Sequence, residues 1–158
     1  MSRRGPGRRR RAIRLDPVGR TRHLGDVLDR VAGWLDDPSA KHGVTIGWGR
    51  WSADTGRPQR SLRLGRLRPD TGDLVLHPVL DHERVPESVT DFIVFHELCH
   101  HVAPPLTPAQ ARRRGEPRIH HGHFRALEAR CPHVDESRLW VRRNLEWLLD
   151  NARRPSSR

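Results

Sequence analysis

The sequence predicts an α+β domain: a small antiparallel β-meander packed on helices, one of them central and carrying a His-Glu motif. Three observations predict this class. Apolar residues recur at helical spacing over 23–36 and again beyond 120. Three short strand-like runs lie between 44 and 76, separated by Gly, Pro and Asp. A longer run, 86–102, is apolar around most of its circumference, the mark of a buried helix.

In chain order, residues 23–36 place Leu24, Val27, Leu28, Val31, Trp34 and Leu35 on one face, and Asp37-Pro38 ends the helix. Val44–Trp48 reads as a strand bounded by glycines. Arg60–Leu67 alternates at Leu62 and Leu64 before Arg66 and Leu67 break the register. Leu74–Leu76 follows the turn Asp70-Thr71-Gly72-Asp73 and completes the meander. Pro86 suits a first helical position, and Pro104-Pro105 stops the helix it begins. Residues 103–119, rich in Pro and Arg, read as a long loop of the kind that is often functional. Two further helices are expected, roughly 120–131 and 136–151, the last bearing Leu139, Trp140, Leu145, Leu148 and Leu149.

Charge divides the chain further. The 158 residues carry a formal charge of +11, and seven of the 30 basic residues lie within the first 14, leaving 23 against 19 acids elsewhere. A dense arginine block repels itself and cannot bury apolar surface, so it is expected to lack structure in isolation. It is suited to nonspecific contact with the phosphate backbone of nucleic acid. The reading is a basic arm over 1–20, one domain over 21–151 and a solvated tail over 152–158. No apolar stretch is long enough for a membrane helix, and Arg14, Asp16 and Pro17 interrupt any signal-peptide core. A cytoplasmic location is expected. The two cysteines, Cys99 and Cys131, form no CxxC pair, which excludes a Cys-based zinc ribbon.

His96-Glu97-Leu98-Cys99-His100 is an HExxH motif. On a helix, residues i and i+4 share a face, so both imidazoles can point at one ion, and Glu97 can reach a metal-bound water. A catalytic zinc ion takes three protein ligands and keeps a fourth position open. The third ligand must lie elsewhere. Glycine and histidine are absent at 103 and 106, where Ala103 and Leu106 stand, so the extended HExxHxxGxxH pattern is excluded. The candidates are His120, His121, His123 and His133, with Glu116 and Glu128 as acidic alternatives. Phe124, Leu127 and Cys131 define an apolar stripe, and four residues back from Phe124 is His120, facing the interior. The same phase places His121 with Arg125 and Glu128 on the solvent side, and His123 at the margin. Cys99 lies about 100° round the helix from His100 and reads as core. His101 either supports a ligand histidine without touching the metal or is exposed, and His77 reads as a structural strand-end histidine.

From Ile46 to Leu149 the chain resembles the SprT-like family of zinc metallopeptidases, including its YgjP-type branch. One block, "RSLRLGRLRPDTGDLVLHPVLDHERVPESVTDFIVFHELCHHV", is similar to the family's strand, turn, strand, "HPxLD"-type segment and HExLH helix. Here the motif reads HELCH, with its Leu one place earlier. A second block, "RIHHGHFRALE", is similar to the segment in which a histidine precedes an aromatic by four, here His120 before Phe124. The resemblance implies a zincin-like core, one Zn2+ ion on His96, His100 and His120, Glu97 as general base, and a protein or peptide substrate. The C-terminal zinc ribbon of some relatives is missing. Since the chain has no tyrosine, stabilisation of the oxyanion is expected from His101, His121, His123, an arginine of 112–118, or zinc alone. Two rival readings are a nucleic-acid-binding module with structural zinc, favoured by Arg112, Arg113, Arg114, Arg118 and five tryptophans, and a regulatory pseudo-protease.

Overall fold

A computed structural model describes residues 14–53 and 55–153. Among these residues it is a mixed α+β arrangement of six α-helices and one three-stranded sheet. The basic arm falls mostly on residues 1–13, outside the described residues, as do 154–158 of the tail.

Helix α1 spans Leu24–Ala32 and turns its buried face, Leu24, Val27, Leu28, Val31 and Ala32, to the core, as the periodicity predicts. A 3-10 turn over Gly33–Leu35 follows, and Asp36 ends it in the left-handed region at φ 52. The strands are β1 (Thr45–Trp48), β2 (Gly65–Arg68) and β3 (Asp73–Leu76). Their order is β1-β3-β2, with β1 parallel to β3 and β2 antiparallel to it. The expected antiparallel meander is therefore corrected to a mixed sheet. The cause lies in the strands themselves. Leu74 and Leu76 of β3 are fully buried, which suits a central strand, whereas β2 carries Arg66 and Arg68 and suits an edge. The long connection over 49–64 lets the chain cross to that edge. Only the last part of the expected 60–67 run joins the ladder, although His77 N–H still donates to Leu64 O at 2.8 Å.

Residues 14–20 pack on the domain, so its boundary lies earlier than 21. Trp48 N–H donates to Asp16 O at 2.9 Å, and Gly47 leaves room for this segment: a Cβ there would stand 2.6 Å from Leu15 Cβ. Asp81 receives the amides of Arg20 and Thr21, and Arg22 donates to the carbonyls of Leu80, His82 and Val85. At the other end Ala152 is fully buried and Ser52 N–H bonds its carbonyl at 3.0 Å, so the domain also runs past 151.

Helix α2 (Glu87–Val102) is central, buried at Val89, Phe92, Val94, Phe95, Leu98 and Cys99, with α1, α4, α5 and the sheet packed around it. Pro86 is its N-cap rather than its first residue. Arg30 of α1 clasps Asp91 of α2 through two nitrogens, at 2.6 and 3.1 Å. The 103–119 segment is not all loop. It contains α3 (Pro108–Arg114), closed at its start by a Thr107–Gln110 capping box and at its end by Gly115 at φ 64. The next helix is shorter than expected, α4 (Gly122–Glu128), and the last is two, α5 (Val134–Arg143) and α6 (Leu145–Asn151), divided at Asn144. Among the described residues no helix is long and apolar enough to cross a membrane.

Candidate metal centre

His96 and His100 lie one turn apart on the last part of α2, and their Nε2 atoms face each other at 3.3 Å. His120 joins them from the segment before α4. One ligand atom from each of the three histidines falls within 4.8 Å of the others, close enough to hold a metal ion. The ring of Phe124, 1% exposed, stands beneath all three imidazoles, with centroids 4.5 Å from His100, 4.8 Å from His120 and 5.2 Å from His96.

His120 reaches this position for a reason other than the helical phase that selects it. Helix α4 begins at Gly122, so His120 lies outside it. His121 is the N-cap: its Nδ1 accepts from Phe124 N–H at 3.5 Å, and its Nε2 lies 3.1 Å from Pro104 O. This histidine is 3% exposed, which corrects its assignment to the solvent side. By tying the start of α4 to the chain just beyond α2, it sets His120 over His96 and His100. Both its nitrogens are thereby engaged, and it does not join the cluster. His123 is exposed and stacks over His121, centroids 6.3 Å apart. His133 occupies the N-cap position of α5 without a side-chain capping bond, its Nδ1 3.6 Å from Glu136 Oε1, and Glu116 is likewise outside the cluster.

Glu128 is the second correction. Assigned to solvent or to the metal, it is instead 6% exposed, with Oε1 2.6 Å from His96 Nδ1 and Oε2 receiving Arg138 Nη2 at 2.7 Å. Its own helix leaves that side bare, but α5 brings Arg138 over it. Burial alone would raise its pKa. The hydrogen bond and charge of His96, with Arg138, outweigh that and hold the carboxyl below the usual range. Sequence reasoning missed Arg138 altogether, because nothing within its own helix marks it.

Glu97 points to the sheet. Leu67 N–H donates to its Oε2 at 3.0 Å, so the carboxylate is anchored to edge strand β2. Gly65 on that strand makes the space: a Cβ there would stand 2.9 Å from Glu97 Cγ. Burial raises the Glu97 pKa, opposed by the positive charge of His96, the Leu67 amide and Arg63. His100 is pushed down to about 4, by burial first and then by His96 and His120, and burial lowers His120 as well. Both therefore stay neutral near pH 7 and keep a lone pair for a metal. A cleft of about 880 Å³ opens beside His96 and His120, walled also by Arg125, Glu128 and Arg138.

The remaining candidates lie outside the cluster. Cys99 is fully buried, and its thiol is pushed up to about 12 by burial, with Glu128 adding to the rise. His101 Nε2 lies 3.0 Å from His42 O. His77 accepts from Val79 N–H and lies 3.0 Å from Ser52 Oγ, capping a 3-10 turn. Arg118 donates to Leu106 O, and Arg112, Arg113 and Arg114 are exposed on α3. Comparison of the chain with protein-family models, with curated proteins and with solved structures returned no match.

Proposed function

We propose that this chain is a zinc-dependent metallopeptidase with a zincin-like core, hydrolysing peptide bonds with Glu97 as general base. The observation that carries the reading is the convergence of three imidazoles, His96, His100 and His120, beside a carboxylate that is anchored elsewhere. Tetrahedral zinc bonded to two imidazole nitrogens at about 2.0–2.1 Å holds them about 3.3–3.4 Å apart. The Nε2 atoms of His96 and His100 are 3.3 Å apart. A purely structural zinc site closes with four protein ligands. Three gather among the described residues, which supports the catalytic reading over structural zinc.

When bound, zinc supplies Lewis acidity, lowering the pKa of a water molecule and polarising a carbonyl. Glu97 takes the proton from the attacking water and returns it to the leaving amine as the C–N bond breaks. Two features of the chain suit it to both halves of that exchange. Burial raises its pKa toward the working range. The Leu67 amide holds one carboxylate oxygen, which fixes the direction of the other. Because β2 is a sheet edge, an extended peptide laid along it would bring its carbonyl close to Glu97.

Elemental analysis and peptide hydrolysis test the reading together. The wild-type chain is expected to hold about one zinc ion, and His120→Ala to lose it. Glu97→Gln is expected to keep the metal while hydrolysis of a quenched-fluorescent peptide library falls by at least about a hundred-fold. Activity surviving in Glu97→Gln would refute the role of Glu97. Undiminished zinc in His120→Ala would refute the ligand set.

A further inference from the structure

We propose that Glu128 and Arg138 are a positioning pair for His96: Glu128 accepts a hydrogen bond from Nδ1–H and Arg138 holds the Glu128 carboxylate in place. The inference rests on the reading of His96 as a zinc ligand and assigns two residues that reading does not use.

The geometry separates the two nitrogens of His96 by task. Nε2 faces His100 at 3.3 Å, and Nδ1 faces Glu128 at 2.6 Å. An ionised carboxylate can only accept, so Nδ1 carries the hydrogen and Nε2 presents its lone pair to the metal. A charge-assisted bond of this kind also makes the imidazole a stronger ligand. The carboxylate is itself constrained at its other oxygen by Arg138 Nη2, 2.7 Å away. The guanidinium lies 5.6 Å from the centroid of Phe92, and the Phe92 ring lies 6.0 Å from His96. The set is therefore closed: Phe92 and His96 from α2, Glu128 from the end of α4, Arg138 from α5. Glu128 is 6% exposed, and a carboxylate so buried needs both partners to be tolerated there.

An ion pair that merely fastened α4 to α5 would leave metal affinity unchanged, and that difference is the test. Zinc affinity is measured by competition with a chromogenic chelator for the wild-type chain, Glu128→Gln, Arg138→Met, Arg138→Lys and the Glu128→Gln/Arg138→Met double variant. Thermal unfolding of each metal-free form is recorded alongside, as is the visible spectrum of each cobalt-loaded form. Glu128→Gln is expected to bind zinc about 10–100-fold more weakly, with altered cobalt bands. Arg138→Met is expected to lose several-fold, and Arg138→Lys to recover part of that loss. Because Arg138 acts through Glu128, the double variant should bind no more weakly than Glu128→Gln alone. Affinity in Glu128→Gln within about twofold of wild type, or independent losses that multiply in the double variant, would overturn the pair. Should Glu128→Gln fail to fold, Arg138→Met, at a half-exposed side chain, decides the question: unchanged affinity there overturns the proposal. A wild-type chain that binds no zinc refutes the metal reading itself. Zinc that is lost in His120→Ala but unaffected by Glu128→Gln refutes only the pair.

Discussion

Gly65→Ala separates metal binding from proton transfer at this site. The glycine has ordinary backbone angles, so the substitution meets contacts rather than torsional strain. A Cβ at this position would stand 2.9 Å from Glu97 Cγ, 2.9 Å from Ile93 Cγ2 and 3.2 Å from Glu97 Oε1. Carbon atoms settle at about 3.5–4.0 Å, so each of the two carbons is crowded by roughly 0.6–1 Å. Something must move. Strand β2 is held by its ladder to β3, and the β-branched Ile93 is stiff at χ1. Glu97 has the most freedom, and its displacement breaks the bond from Leu67 N–H. That loss is about 1 kcal/mol, and alanine offsets roughly 0.5–1 kcal/mol of it by losing less backbone freedom than glycine on folding. Moving Glu97 does not relieve the contact with Ile93 Cγ2, which adds an overpacking cost of about 1–3 kcal/mol, so the thermal midpoint should fall while the chain still folds.

Activity is expected to respond far more strongly. A misplacement of about 1 Å in a reacting group is enough for a loss on the order of a hundred-fold. The three atoms nearest the new methyl group belong to Glu97 and Ile93 rather than to a histidine, so zinc content should stay at the wild-type value. The assays are zinc per chain, thermal midpoint, peptide hydrolysis, and hydrogen exchange at the Leu67 amide, whose protection should fall. Wild-type hydrolysis with Leu67 still protected would show that Gly65 does not set the position of Glu97. Loss of zinc would show that the crowding spreads to the ligands and that metal binding and proton transfer are not separable at Gly65.

Two further outcomes follow from the same structure. Burial pushes His77 down to about 4, whereas an unfolded histidine titrates near 6.5. The unfolded chain then binds the extra proton first, so this contribution to stability is full above about pH 6.5 and fades as pH falls through 4. Metal-free His77→Asn keeps an acceptor for Val79 N–H, and its urea midpoint should fall less than that of wild type between pH 7 and 4.5; equal losses would contradict the assignment. For the arm, six arginines lie within 1–13, so deleting it should lower the log–log salt slope of duplex DNA binding by up to about five. An unchanged slope would place any nucleic-acid contact elsewhere.

What the sequence made legible is what one helix or turn determines by itself. The HExxH face of α2 follows from i, i+4 spacing, and the structure brings His96 and His100 together on it. Helix α3 was also legible, though read as loop. Thr107, Pro108, Gln110 and Gly115 together carry a capping box, a proline at the first turn and a glycine stop. The strand order was half legible, since Arg66 and Arg68 mark β2 as an edge, while the parallel pairing of β1 depends on a crossing that no local pattern encodes.

The residues around the centre mark the limit of that kind of reading. Periodicity ranks a side chain against its own helix, and by that measure His121 and Glu128 face outward. Both are buried because other elements arrive: the Pro104 carbonyl beyond α2 for one, α5 with Arg138 for the other. His120 shows the same limit from the opposite side. Phase selected it by assuming a helix that begins two residues too early. What survives the error is its spacing from Phe124, whose ring contacts His96, His100 and His120 alike. An aromatic four residues after a histidine can place that histidine over its ring through a capped turn as well as through a helix. The spacing thus identifies the neighbour, and the cap on His121 determines the path by which the chain reaches it.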